Sequence, residues 1–432
     1  MTGLSYQESV DFLFNLEKSG IKLGLDRTVA LLAEVGDPHR RFRSVHVAGT
    51  NGKGSVACFL NSVFHHAGHV TGLFTSPHLV DYRERIRTGG RSMTRAELTR
   101  MVNRLAPAIR RTGVSYFEAT TVLAFEHFAR KTVETAVVEV GMGGRLDSTN
   151  VLEPMLSCIT SIDYDHTRYL GSTLPRIAAE KAGIIKPGVP VVCGALAVPA
   201  SRTIRRIARS RSSRVYEVGK DAGFKVLETG VGGSVFEYSG LDGNKTHRIV
   251  SPGLHQVANA ATALLAIEVL NEHGSRVGKG AVRDGLAKAF WPGRLQVLSR
   301  RPLIILDAAH NAGGARVLAR TLRQIGIKAD VTVFGALRDK DYGKMLKALS
   351  GVSGRFVLTK PDSPRALPVV RLKEAAGDLG LRARATASVA RAIEIARDEC
   401  GPEDTMLICG SLYLIGEAMG DLGYRPEQAT VC

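Results

Sequence analysis

The sequence predicts an α/β protein of two domains, and three observations carry that prediction. A glycine-rich stretch, His46-Val47-Ala48-Gly49-Thr50-Asn51-Gly52-Lys53-Gly54-Ser55, stands between an apolar run and a segment of helical periodicity. From Leu303 onward, apolar runs (Leu303–Leu306, Val331–Phe334, Arg355–Leu358, Met406–Cys409) alternate with helical segments. A chain of 432 residues also exceeds one ordinary domain. The first observation gives an N-terminal P-loop ATPase-like domain on a parallel sheet, residues 1–298. The second gives a C-terminal Rossmann-like, doubly wound domain, residues 299–432.

Taken in order, Tyr6, Val10, Leu13 and Phe14 have the spacing of an opening amphipathic helix. Gly24-Leu25-Asp26-Arg27 leads into a second, Thr28 to Glu34. In the glycine-rich stretch, small residues let backbone N–H groups converge on phosphate oxygens. Lys53 then falls beside the β- and γ-phosphates of a nucleotide, and the Ser55 hydroxyl within reach of Mg²⁺. A plain strand–helix turn is the other reading, but it has no use for Lys-Gly-Ser. Val70 to Phe74 is a short strand, and Thr75-Ser76-Pro77-His78 a turn at its carboxyl end, where open α/β sheets gather ligands. Tyr116 opens a helix to Ala129, with Phe117 and Glu118 in its first turn; Glu118 there also suits the helix dipole.

Ala136 to Val140 reads as a buried strand interrupted by Glu139. A carboxylate in such a run must be paired or hold a metal, because burying its charge alone is very costly. Gly141, Gly143 and Gly144 would let the backbone close over a ligand. Leu156 to Ile162 is a strand ending in Asp163-Tyr164-Asp165-His166, Leu174 to Ile184 a helix carrying Lys181, and Val189 to Cys193 a strand. Phe224 through Thr246 suggests strands and turns, and Leu254 to Leu270 a long helix that includes Asn259.

Beyond the loop, five further stretches occur in a set order: Thr75-Ser76-Pro77-His78-Leu79, Glu139-Val140-Gly141-Met142-Gly143-Gly144-Arg145-Leu146-Asp147, Asp165-His166-Thr167, Glu180-Lys181-Ala182-Gly183-Ile184 and Trp291-Pro292-Gly293-Arg294. With these the chain resembles the Mur ligase family of ATP-dependent amide ligases, and within it the folate branch, from about Gly24 to Ser411. The resemblance implies ATP held by Gly49, Thr50, Asn51, Gly52, Lys53, Gly54 and Ser55, with Asn259, Arg294, Asp307 and His310 as further nucleotide contacts. It implies two Mg²⁺ sites, one with Ser76 and Glu139 beside Ser55, the other with His166 and a carbamylated Lys181. Lys53, His166 and Lys181 become the catalytic set. Gly24, Leu25, Asp26, Arg27, Phe117, Glu118, Arg145, Leu146 and Asp147 become the contacts of a pterin acid, dihydropteroate or a reduced folate, to which L-glutamate is joined. One departure stands out: Asp307-Ala308-Ala309-His310-Asn311-Ala312 replaces the family's D-G-A-H-N-P, which bears on the local turn.

Composition sets the remaining bounds. The hydrophobic fraction of 44% suits a sizeable globular core. Six cysteines without metal-like spacing, mostly in apolar runs, suit buried thiols in a reducing cytoplasm. No apolar run approaches membrane-spanning length, and Met1 to Gly20 lacks a signal pattern. A net charge of +17 admits a nucleic-acid binder or an enzyme for anionic substrates. The densest basic run, Arg202 to Arg214, has an apolar stripe and no interleaved aromatics, so a solvated helix face is expected and a base-stacking surface is not. A monomer acting on small molecules, without nucleic acid or membrane, is the expectation. The competing readings are a cell-wall amino-acid ligase of the same family, a nucleic-acid-stimulated ATPase and a non-catalytic nucleotide binder.

Overall fold

In the computed structural model, residues 3–20 and 24–424 are described. The apolar runs of the first domain form an eight-stranded sheet. Its spatial order is Arg91–Ser92, Ile86–Thr88, Thr71–Phe74, Thr135–Glu139, Arg43–Ala48, Leu156–Ile159, Val191–Cys193, Val215–Glu217. From Thr71–Phe74 to Val215–Glu217 the strands run parallel. Ile86–Thr88 and Arg91–Ser92 add an antiparallel edge, so the sheet is mixed rather than purely parallel. That edge is a short hairpin closed by Gly89 and Gly90, both at positive φ, a local turn that needs no crossover helix.

The first domain's core is split by the sheet. On one face, helix Lys53–His66 is buried over nearly its whole length against Leu254–Glu272 and Lys279–Lys288. On the other, Tyr116–Arg130 and Arg95–Thr112 pack with Tyr6–Asn15 and Asp26–Glu34. Predicted and observed elements differ mainly at their ends. The strand from Leu156 stops at Ile159, and the helix from Leu174 stops at Ala182. The run from Phe224 becomes an antiparallel sheet of Gly223–Gly230, Gly233–Gly240 and Gly243–Ile249. The basic run lies on helix Val198–Ser210, with Ile204 and Ala208 buried and Arg202, Arg206 and Arg209 exposed.

The second domain has six strands in the order Gln296–Arg300, Leu303–Asp307, Thr405–Cys409, Ala329–Phe334, Ser353–Leu358, Ala383–Ala385. All run parallel except Gln296–Arg300, which pairs antiparallel with Leu303–Asp307. This strand straddles the junction expected at Leu298, so the second sheet begins at Gln296. Apolar side chains cover both faces of this sheet, as the doubly wound reading requires.

The two domains touch closely. Leu79 of the first packs into the core of the second beside Ile415. Gly416, on helix Leu412–Asp421, lies so near that a Cβ would overlap the Leu79 carbonyl oxygen. Gly416→Val is therefore expected to destabilise the protein by about 1–3 kcal/mol, the usual effect of overpacking. Chemical denaturation checks this, and an unchanged midpoint would show that the interface yields freely.

Candidate active site

The phosphate-binding geometry follows from local chemistry. Strand Arg43–Ala48 delivers the chain to the carboxyl edge of the sheet, and helix Lys53–His66 starts at Gly52, whose φ is 85°. No side chain caps this helix, so its first N–H groups face the cleft, where an anion would satisfy them. Glycine is required at Gly52 for a second reason, since a Cβ would overlap the Asn259 amide. Across the loop, Thr50 Oγ1 donates to the Asp163 carbonyl (3.1 Å) and Asn51 N donates to Ser161 Oγ (2.9 Å).

This loop forms one wall of a cleft of about 450 Å³ between the domains. Ser76, Glu139, His166, Lys181, Asn259, Arg294, Asp307 and His310 line it together with all seven residues from Gly49 to Ser55. They come from chain segments far apart in sequence.

Lys53 Nζ lies 4.0 Å from Glu139 Oε1 and donates to the Thr50 carbonyl at 3.3 Å. Glu139 is buried, and its Oε2 accepts from Ser76 N at 3.1 Å. Burial raises its pKa, opposed first by the charge of Lys53. Among the described residues, no three His, Cys, Asp or Glu side chains converge as a metal cage. Glu139 and Ser76 both line the cleft, and their carboxylate and hydroxyl are hard oxygens of the kind Mg²⁺ takes along with phosphate oxygens and water.

Lys181 is 4% exposed and donates to the Gly49 carbonyl at 2.8 Å. Burial, then the charge of Lys53, brings its pKa down to about 7. It is therefore a buried lysine on helix Leu174–Ala182 rather than a solvated one. His166 sits at positive φ, 49°, directly before the short helix Thr167–Leu170. Burial lowers its pKa to about 4, so its ring is neutral and able to ligate at pH 7.

On the second domain, Asp307 accepts from Leu295 N (2.9 Å) and Ala309 N (2.8 Å), so it also braces the turn that follows its strand. His310 Nδ1 lies 3.0 Å from the Ala308 carbonyl, which can only accept, so Nδ1 carries the proton. The departures at Ala308 and Ala312 leave this turn intact. Ala308 requires no positive φ, and Asn311 caps helix Ala312–Gln324 through Gly314 N at 2.7 Å.

None of the nine expected pterin contacts lines the cleft itself. Phe117 stacks under Gly141, where a Cβ would overlap its ring, and Gly141 itself lines the cleft. Glu118 closes a capping box with Ser115 and pairs with Arg27 at 3.3 Å. Arg27 Nη2 is buried without a hydrogen-bond partner, and Glu118 Oε1 has the Arg27 Nε ion pair. Gly24, Leu25 and Asp26 lead into and begin helix Asp26–Glu34. Arg145 is exposed and pairs with Glu180, and Leu146 is half-buried beside it. Asp147 is buried and accepts from Met142 N, Thr149 N and Thr149 Oγ1, holding the glycine loop in place.

Sequence reasoning missed Asn311 and Lys340. Asn311 Nδ2 donates to Asn51 Oδ1 across the domains at 3.1 Å, and Lys340 Nζ reaches Asp165 at 2.7 Å. A polar His-Asn pair directly after a strand end was the only available signal for Asn311, and Lys340 offered none.

A phosphate loop backed by a buried acid and two lysines, closed over by a second α/β domain, defines an enzyme that uses a nucleotide between two domains. The chain belongs to the Mur ligase family: residues 47–267 match the Mur ligase middle domain and residues 293–412 the Mur ligase glutamate ligase domain. It is an ATP-dependent ligase. Among its relatives, the dihydrofolate synthase/folylpolyglutamate synthase of Bacillus subtilis is 37% identical over 96% of this chain and 98% of its own length. Mycobacterium tuberculosis folylpolyglutamate synthase complexed with ADP and AMPPCP superposes with a TM-score of 0.89 at 34% identity, over 97% of this chain and 100% of that one. Escherichia coli FolC in complex with DHPP and ADP gives 0.87 at 31% identity, over 97% and 98%.

Proposed function

We propose that the chain joins L-glutamate to the carboxylate of a pterin acid, dihydropteroate or a reduced folate, through an acyl phosphate, with release of ADP and phosphate. The observation that carries this reading is the convergence of Lys53, Glu139, Lys181 and His310 on one interdomain cleft. The acid's carboxylate oxygen attacks the γ-phosphorus of ATP and ADP leaves. The glutamate amine then attacks the acyl carbon, a proton is lost, and phosphate departs.

Each residue has a defined task. The loop amides and Lys53 follow the transferring phosphoryl charge, and Arg294, half-buried in the cleft wall near Glu139, adds a second cation. Ser76, Glu139 and Ser55 would hold one Mg²⁺, and His166 with carbamylated Lys181 another. When bound, Mg²⁺ neutralises phosphate charge and fixes the line of attack. Asn259 and Asp307 hold the nucleoside. Arg27 Nη2, buried without a hydrogen-bond partner, offers one free donor to a pterin ring, with Glu118 paired beside it. The same reading makes the enzyme a cytoplasmic monomer that needs neither nucleic acid nor membrane. In support of a reducing compartment, the five described cysteines are free thiols.

Phosphate release is expected to require both a pterin carboxylate and L-glutamate. The assay offers each pterin separately with ATP and Mg²⁺, and follows phosphate and product mass. Turnover triggered by DNA or RNA and indifferent to both substrates would replace this reading with that of a basic ATPase.

A further inference from the structure

The domain interface contains a polar cluster that the nucleotide and metal assignments leave unexplained. Lys340 lies in the turn between strand Ala329–Phe334 and helix Tyr342–Leu349 of the second domain. Its side chain is 5% exposed, and its Nζ stands 2.7 Å from Oδ1 of Asp165, which belongs to the first domain. The other oxygen, Asp165 Oδ2, accepts from Asn311 Nδ2 at 3.2 Å and faces His310 Nε2 at 3.8 Å and His166 Nε2 at 4.0 Å. Asn311 Nδ2 also reaches Asn51 of the phosphate loop. One carboxylate thus gathers three side chains of the second domain onto the residue that precedes His166.

A buried ammonium is unfavourable unless it is paired and hydrogen-bonded. Lys340 has one other carboxylate nearby, Asp339 at 3.7 Å, which is more exposed and shared with Arg365. Its close partner therefore lies across the boundary, and the pair can form only when the domains meet in this register. A second crossing pair, Arg316 with Asp163 at 3.9 Å, is longer and more open to solvent, and contributes little. Lys340 does not line the cleft, so it meets no reacting atom there.

We propose that Lys340 is a positioning residue for ligation: by gripping Asp165 it fixes the closed register in which His310 and Asn311 face the phosphate loop. Its effect on turnover rests on the ligase reading above, whereas its effect on closure does not. Lys340→Met keeps the stem and removes the charge, and Lys340→Arg keeps the charge. The measurements are steady-state kinetics and small-angle scattering with and without Mg-ATP.

In Lys340→Met, kcat is expected to fall at least tenfold while KM for ATP stays within about threefold, because the loop that binds phosphate is untouched. The radius of gyration with Mg-ATP should exceed that of the wild type. Lys340→Arg should recover part of both. The double variant Asp165→Asn/Lys340→Met should lose no more than the worse single variant, as expected for two partners in one contact. Wild-type kcat and scattering in Lys340→Met, or fully additive losses in the double variant, would overturn the proposal. A melting curve identifies any variant that fails to fold, and the arginine variant then carries the test. If the wild type turns over neither pterin acid, the ligase reading fails while the scattering comparison still decides the role of Lys340.

Discussion

Lys53→Ala is expected to slow the chemical step by about 10²-fold or more, corresponding to a loss of transition-state stabilisation on the order of 3 kcal/mol. The ammonium points into the cleft, held by the Thr50 carbonyl at 3.3 Å and facing Glu139 at 4.0 Å. Its removal acts twice. The transferring phosphoryl group loses a cation, and Glu139 loses the charge that most opposes its burial. The sign of the second effect is fixed. Burial raises the Glu139 pKa and Lys53 lowers it, so without Lys53 the carboxyl protonates at higher pH. The acid limb of the pH–rate profile should therefore move upward, and the Mg²⁺ concentration for half-maximal rate should rise. The fold should persist, since Lys53 stands at the cleft wall rather than in the core. Single-turnover phosphate release, a pH profile and a melting curve together check this. Near-normal turnover would remove the loop from the chemistry.

Lys181→Ala is expected to abolish most activity and to regain part of it when acetate is added. The motivation is a lysine in an unusual setting: 4% exposed, bonded to the Gly49 carbonyl, and with Asp165 and Asp147 offsetting its burial only in part. With a pKa near 7, about half its amines are neutral at pH 7, against well under 1% for an ordinary lysine. A neutral amine adds carbon dioxide, forming an N–C bond and releasing one proton, and the resulting carbamate is an anionic oxygen donor. An ammonium in the same place would repel Mg²⁺. Activity that depends on this adduct should rise as pH passes upward through about 7, and should fall when dissolved carbon dioxide is stripped. Acetate restores carboxylate oxygens but not the tether, so recovery should be partial and saturable. Full activity in Lys181→Ala, or a loss that acetate leaves untouched in a folded protein, would exclude the carbamate.

Much of the site was legible because its chemistry is local in sequence. A phosphate loop needs glycines, a lysine and a hydroxyl at short fixed spacings, so residues 49–55 declare themselves. Glu139 declared itself as an acid inside an apolar strand, and it is buried as that pattern required. The doubly wound second domain followed from alternating strand and helix periods, which depend on neighbours a few residues away. Two departures, the antiparallel strands on one edge of each sheet, come from connections without a crossover helix (residues 75–85, the Gly89–Gly90 turn and residues 301–302), whose sequences also fit ordinary loops.

What the sequence by itself determined is the phosphate loop, the order of the elements and the acid inside its apolar strand, because backbone geometry and side-chain chemistry act there over a few residues. Only the tertiary structure decided which side chains spend their hydrogen bonds internally. Asp147 holds the glycine loop by its amides, and Glu118 caps its own helix. It also decided that Lys181 is buried rather than solvated, and that Lys340 meets Asp165 across 175 residues of chain. Burial and long-range pairing depend on how whole sheets and helices stack, and no short window of sequence records that.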